Sequence, residues 1–337
     1  MPRDDTGHRP DEATRIGVVV VSYGAAEAVV GCLESLRAAA ARARADGAPL
    51  RVLVVDNASP DDTVETLRLW AARTGAALPE FDDPETASAN VPDLETGVGL
   101  LHSGANRGFA GGVNLGLHAF AARPDVDAFW VLNPDTRVPE ATPGALGRAA
   151  RAAQGAGGYA VITGRLYFAD PPDAIQNDGG RVSLTTGRVE TVNVLARGTD
   201  TPGPAPGSLD FAAGAHMLVS RAMIETAGYM PEDYFLYYEE IDWCLRRGDL
   251  PILWVADAPV VHDGGASIGS ANIASGPSAL SAYWTARSRM RFVRRWRPWA
   301  LPFAAAFTLG KAAQQWRRGN RAAARAALRG LSGRGPN

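Results

Sequence analysis

Lysine is almost missing from this sequence. Lys311 is the one lysine among 34 basic residues, so arginine carries nearly all the positive charge. With abundant Ala, Gly and Pro, that reads as compositional bias and not as a functional signal. Cysteine is scarce too: Cys32 and Cys244 have neither a CxxC partner nor metal-ligand spacing. Each lies in an amphipathic pattern, so buried free thiols are expected. An uninterrupted apolar run of about 18 residues, the length of a membrane span, is absent. Residues 1–15 are polar, hold no apolar signal-peptide core and read as a disordered tail. The expectation is a reducing, cytoplasmic setting. The formal net charge of −2 gives no support for broad nucleic-acid binding. Internal repeats are lacking as well.

What is there is an ordinary globular composition, 46% apolar and 21% charged over 337 residues. That length suits one large or two small domains. Ile16 to Val21 and Arg51 to Val55 are continuous β-branched runs, each followed by a helical pattern. Val98 to His102 and Ala128 to Leu132 repeat the arrangement, which predicts parallel βαβ units. Residues 79–96 read as an acidic surface loop without a motif. Tyr159 to Phe168, Leu209 to Val219 and Ile252 to Val255 read as further strands, with a short hairpin over 181–195. Residues 278–331 read as helical and Arg-rich, and a helix is expected to start at Tyr234.

Each of the first four strands ends in polar residues: Ser22-Tyr23, Asp56-Asn57, Asn106 with its glycines, and Asn133-Pro134-Asp135. A parallel sheet lines such clusters along one edge, where α/β proteins bind ligands. The bland reading of Asn133 to Asp135 is a Pro-Asp turn. The chemical reading is an oxygen-rich strand end able to hold a hard cation beside phosphates. The small residues 108–112 open a helix and could admit a diphosphate, but they do not spell a dinucleotide fingerprint.

Seven segments in this order resemble the inverting, GT-A-fold glycosyltransferases of family 2, especially the bacterial rhamnosyltransferase-like branch. They are Val19 to Tyr23, Val54 to Ser59, Asn106 to Asn114, Leu132 to Asp135, Gly214 to Val219, Phe235 to Asp242 and His262 to Ser267. The sequence departs from the family where Asn133 opens the motif usually written DxD, where Glu240 stands for the usual Asp, and at Gly24, often Asn. The 79–96 segment also has no counterpart in the family.

The resemblance implies roles. Ser22, Tyr23, Asp56, Asn57, Asn106, Gly108, Gly111, Asn114, Asn133 and Asp135 would bind the donor, with Asp56 on the nucleotide base and Asn133 on the sugar or ribose. Asp135 and His262 would hold Mg²⁺ or Mn²⁺. Glu240 would be the general base, with Glu239 and Asp242 as alternatives. A helix cap for Asp56, a structural histidine for His262 and a solvated helix start for the acidic trio remain open. Tyr234, Phe235, Tyr237 and Tyr238 could wall an acceptor site or be core.

The expected fold is thus an α/β GT-A domain, a Rossmann-like and mostly parallel central sheet flanked by helices. Residues 16–136 form its nucleotide-sugar half, 137–270 its acceptor half and 271–337 a helical C-terminal extension. The expected reaction moves a sugar from a nucleoside diphosphate, dTDP-rhamnose or a UDP-sugar favoured, to a saccharide, lipid-linked or natural-product acceptor. A catalytically silent binding relative and a sugar-nucleotide pyrophosphorylase are the alternatives. The basic and aromatic residues from Arg287 to Phe307 suit either peripheral membrane contact or packing on the catalytic domain, and a homodimer is left open.

Overall fold

The valines of the first strand, β1 (Ile16–Ser22), alternate between two cores. Val18 and Val20 pack with Val52, Val54, Trp130 and Leu132 on one face of the sheet, and Val19 and Val21 with Leu53, Val55, Phe129 and Val131 on the other. Successive strand residues point to opposite faces, so a strand covered on both sides must be apolar at every position. This is why the sequence shows continuous runs here and not an alternation.

The computed structural model describes residues 13–264 and 276–335. The expected tail over 1–12 and the Gly265 to Ser267 part of the His262 motif lie outside them. Thr14 and Arg15, counted with the tail in the sequence reading, are tied down: Thr14 is buried, its N–H donates to Gly47 O, and Arg15 N–H donates to Asp127 Oδ2.

In chain order, β1 leads into α1 (Ala26–Ala45) and β2 (Leu50–Asp56) into α2 (Thr63–Thr74). A two-residue β3 (Glu80–Phe81) and α3 (Pro84–Asn90) precede β4 (Gly99–His102), α4 (Gly108–Ala121) and β5 (Ala128–Leu132). Then come β6 (Thr136–Arg137), α5 (Thr142–Gln154), β7 (Val161–Phe168), β8 (Ile175–Asn177), β9 (Gly180–Val182) and β10 (Val189–Thr191). β11 (His216–Ser220), α6 (Arg221–Ala227), α7 (Glu239–Leu245) and β12 (Ile252–His262) complete the sheet, and α8 (Ala279–Trp296), α9 (Leu301–Arg317) and α10 (Arg321–Ser332) follow.

The main sheet runs β3-β4-β2-β1-β5-β11-β7-β12-β6, with β8 beside β7. From β3 to β5 all neighbours are parallel; β11 is antiparallel to both β5 and β7, and β12 is parallel to β7. The fold is therefore α/β and GT-A-like, with a mostly parallel sheet flanked by helices and a helical C-terminal region. The hairpin expected over 181–195 is present as β9 and β10.

Three readings change. The 79–96 segment is not an irregular loop: Asp83 caps α3, its carboxylate accepting from Thr86 N at 2.8 Å, and Pro84 sits at the first turn. The strand expected over 209–219 begins only at His216, and the helix expected from Tyr234 begins at Glu239. In the latter case Tyr237 and Tyr238 adopt left-handed φ values of 66° and 73°, which no helix can continue through.

Residues read as a C-terminal extension share the catalytic core. Phe292 and Val293 of α8 are fully buried with Tyr238, Ile241 and Trp243. Ser288 Oγ donates to Leu236 O at 2.8 Å, and Arg289 Nε donates to Tyr238 Oη at 3.2 Å. α8 therefore braces the segment that leads to the acidic trio. Among the described residues no helix is long and apolar enough to cross a membrane.

Candidate active site

The polar strand ends do converge. A cavity of about 620 Å³ is lined by Tyr23, Asn57, Asn106, Gly108, Asn133, Asp135 and His262 from the sheet edge. Phe235, Leu236, Tyr237, Glu239 and Glu240 line it as well. Ser22 and Asp56 are paired neighbours at the ends of β1 and β2, both buried, and stand behind the lining residues.

Asn57 organises the turn between β4 and α4. Its Nδ2 donates to Gly108 O at 3.0 Å and to Asn106 Oδ1 at 3.3 Å, while its Oδ1 accepts from Arg107 N at 3.0 Å. Asn106 Oδ1 also accepts from Gly108 N at 2.9 Å. The turn needs glycine at Gly108, where φ is 72° and an added Cβ would stand 2.7 Å from Phe235 O. The close approach joins this turn to the segment that carries Phe235.

The other glycines of that motif act differently from the sequence reading. An added Cβ at Gly112 would meet Val21 at 2.6 Å and one at Gly116 would meet Val19 at 2.4 Å, so these residues let α4 lie close against β1. Gly111 faces Arg107, not the cavity. Asn114, also expected at the donor, is a structural clamp. Its Nδ2 donates to Met230 O and to Glu232 Oε1, both at 2.8 Å, and its Oδ1 accepts from Met230 N at 3.0 Å. Asp56 accepts from Ser59 N at 3.3 Å in a local turn; it caps no helix, since α2 begins at Thr63 behind Asp62.

At the end of β5, Asp135 Oδ1 lies 3.1 Å from His262 Nε2. Asn133 Nδ2 is also 3.1 Å from that nitrogen. On its other side, His262 Nδ1 is 2.5 Å from Gln176 Oε1, and Gln176 Nε2 donates to His262 O at 3.1 Å. The amide oxygen can only accept, so Nδ1 carries a proton, and in the neutral ring the Nε2 lone pair faces Asp135. A carboxylate oxygen and an imidazole lone pair aimed at one point, with the tautomer fixed from behind, suit a divalent cation. They are two protein ligands; among the described residues no cluster of three or more His, Cys, Asp or Glu could hold a metal alone. A cation here would need oxygens from its substrate, as Mg²⁺ commonly does.

The acidic trio divides in two. Glu239 and Glu240 line the cavity, and Oε2 of each is buried without a hydrogen-bond partner among the described residues. Burial raises both carboxyls. Glu240 is pushed up to about 7, although backbone N–H groups of its own helix start lower it. Glu239 is pushed well above the ordinary range by burial and then by the neighbouring Glu240 charge. Burial thus holds both carboxyls above the ordinary range, and each disfavours a second charge beside it.

Asp242 points away from the cavity and is saturated. It accepts from Arg246 at 3.0 and 3.1 Å, from Trp296 Nε1 at 3.1 Å and from Arg295. Burial alone would raise its carboxyl, but the hydrogen bonds from Arg246 and Arg295 outweigh that and hold it below the ordinary value. It ties α7 to α8 and, unlike Glu239 and Glu240, does not line the cavity.

Of the four aromatics before the trio, Phe235 and Tyr237 line the cavity, Phe235 stacking on Trp284 at 4.6 Å, while Tyr234 and Tyr238 are core. Gln176 is the site residue that sequence reading missed. It lies in a segment without a readable motif, and an isolated glutamine carries no periodicity or spacing to betray it. Phe211 and Leu280 also line the cavity unforeseen.

Comparison with known proteins agrees with this geometry. Over 206 residues, 58% of this chain, the sequence is 25% identical to the low-salt glycan biosynthesis hexosyltransferase Agl10 of Haloferax volcanii. The match spans 61% of that relative's length. Among solved structures, the chain is similar to the mannosyltransferase PcManGT from Pyrobaculum calidifontis, in complex with GDP-Man and Mn²⁺. The TM-score is 0.50 at 14% identity, covering 96% of this chain and 88% of that one, a likeness of fold. The family model described as glycosyl transferase family 2 matches residues 17–189, just over half of the chain. With the strand-end site lying on that matched sheet, the chain belongs to glycosyl transferase family 2.

Proposed function

We propose that this protein transfers a glycosyl group from a nucleoside diphosphate sugar to an acceptor hydroxyl, with inversion at the anomeric carbon. The observation that carries the reading is that two chemistries line one cavity. Asp135 and His262 stand at the sheet edge, and Glu240, whose Oε2 is buried without a hydrogen-bond partner, lines the same cavity.

In this reading Asn57 and the Asn106 to Gly108 turn position the diphosphate, Asn133 meets the sugar or ribose, and Asp56 recognises the base. Asp135 and His262 would hold Mg²⁺ or Mn²⁺, which supplies positive charge to the departing diphosphate. Glu240 takes the acceptor hydroxyl proton as the oxygen attacks C1 and the C1–O bond to the diphosphate breaks. One displacement needs no enzyme nucleophile. Glu239 lines the same cavity beside Glu240, and burial with the neighbouring carboxyl raises its own pKa. The apolar wall of Phe235, Leu236 and Phe211 excludes water from the competing hydrolysis. The donor sugar is proposed as dTDP-rhamnose or a UDP-sugar on the rhamnosyltransferase-like resemblance, with GDP-mannose added by the structural neighbour. The hexosyltransferase relative supports a glycan as the acceptor.

The test is a thermal-shift screen of nucleotide sugars with Mn²⁺, followed by measurement of nucleoside diphosphate release with candidate acceptors. A donor that raises the melting temperature and is turned over supports the reading. Tight donor binding with no release for any glycan or aglycone acceptor would instead mark a silent relative.

A further inference from the structure

From residue 264 to the end the sequence contains no Asp or Glu, against twelve Arg and Lys311. That segment carries a formal charge of +13, so the rest of the chain carries −15. Part of the positive charge is used internally: Arg295 pairs with Asp233 and Asp242, and Arg291 with Asp233. Arg294, Arg297, Lys311, Arg317 and Arg318 form no ion pair with any described carboxylate.

These cations border an apolar helix face. α9 buries Ala304, Thr308 and Ala312 against α8 and α10, one residue per turn. Its opposite side exposes Phe303, Ala306, Leu309, Ala313 and Trp316, continued by Trp299 in the preceding turn. Trp299 is 65% exposed, Phe303 56%, Leu309 48% and Trp316 47%. A helix packed on its domain normally turns polar residues to water on that side. Here the two exposed indoles mark the ends of the stripe, and each carries a guanidinium on its ring: Arg297 at 5.9 Å from Trp299, Arg321 at 5.4 Å from Trp316.

We infer that the outer face of α9 docks on an anionic lipid surface, with the helix lying in the interface plane. Apolar side chains enter the acyl boundary, the tryptophans sit at headgroup depth, and the unpaired arginines and Lys311 meet lipid phosphates. A protein partner of mixed charge would leave these cations uncompensated; a membrane of anionic lipid neutralises all of them together. The docking also orients the cavity. Asn320, just beyond α9, donates from Nδ2 to Pro277 O at 3.0 Å, so the Trp316 end of the face lies beside the start of α8, where Leu280 lines the cavity. This inference does not depend on the catalytic reading.

Sedimentation of the full-length protein with vesicles tests it. The protein should pellet at low ionic strength with phosphatidylcholine vesicles containing phosphatidylglycerol, pellet little with phosphatidylcholine alone, and shift its tryptophan emission to the blue. Trp299→Ser with Phe303→Ser should lower partitioning by roughly tenfold or more with an unchanged melting curve, since both side chains are exposed. Lys311→Gln, Arg317→Gln and Arg318→Gln together should erase the preference for anionic vesicles. No binding to the anionic vesicles overturns the inference. So does wild-type partitioning by the Trp299/Phe303 variant, which would reduce the effect to general charge adsorption. A dimer that this variant disperses, without vesicle binding by the wild type, would assign the face to a second copy instead.

Discussion

His262 Nε2 lies 3.1 Å from Asp135 Oδ1, although the two residues come from opposite halves of the chain. The contact arises because the end of β12 returns antiparallel to β6, with His262 opposite Thr136. Gln176 fixes the imidazole from behind. The pair is the natural place to test the metal. Asp135→Ala and His262→Ala should each abolish Mn²⁺-dependent donor binding measured by calorimetry. Gln176→Leu keeps both ligands but loses the tautomer lock, and should weaken metal affinity by roughly 10–100-fold. Full turnover in excess EDTA would remove the metal from the mechanism, and unchanged donor affinity in His262→Ala would return that residue to a structural role.

Glu240→Gln preserves shape but cannot accept a proton. Turnover should fall by roughly 10²–10⁴-fold, with donor and metal binding near wild type, whereas Glu240→Asp should retain far more activity than Gln. Glu239→Gln leaves the proposed base in place and should cost far less. The opposite ranking in initial rates would move the base by one position.

The raised pKa of Glu240 fixes a pH dependence. An ionised base is required, so turnover should rise with pH through about 7. Stability moves the other way. A carboxyl whose folded pKa exceeds its unfolded value binds more protons when folded, so its contribution is complete below the unfolded value of about 4.5 and is lost as pH rises through about 7. Glu240→Gln should therefore be more stable than wild type on the alkaline side, on the order of 3 kcal/mol, and differ little in acid. Denaturant melts across this range give the comparison; a wild-type advantage at high pH would contradict the buried, unpartnered carboxyl.

Asp242→Ala should behave as a stability mutant. It leaves Arg246, Arg295 and the Trp296 N–H without their shared acceptor and should cost about 3 kcal/mol, while the folded fraction keeps wild-type donor affinity. A soluble, stable and inactive variant would restore Asp242 to the catalytic candidates.

Gly108→Ala should fail for two additive reasons, a left-handed φ and a Cβ 2.7 Å from Phe235 O. A loss of about 2 kcal/mol and weaker donor binding are expected in melts and titrations. Normal values for both would mean that the turn and the acceptor segment are not coupled.

By itself the sequence determined the sheet and the edge that carries the site. Strand runs such as Val18 to Val21 are buried on both faces, and burial leaves a local signature that can be read without knowing any partner. The polar residues that end those strands share one edge because parallel topology requires it. What only the tertiary structure decided is which of the plausible polar residues face the cavity. Glu240 and Asp242 are two residues apart on a helix start, which turns their side chains about 200° from each other, so one meets the cavity and the other meets Arg246 and Arg295. Asn114 and Gly111 belong to the same motif as Asn106 and Gly108, yet one is clamped to Met230 and the other faces Arg107. Gln176 reaches His262 across a strand pairing that no local pattern encodes. Composition and period report how deeply a residue is buried; its hydrogen-bond partner depends on contacts between segments distant in the chain, which exist only once the sheet has closed.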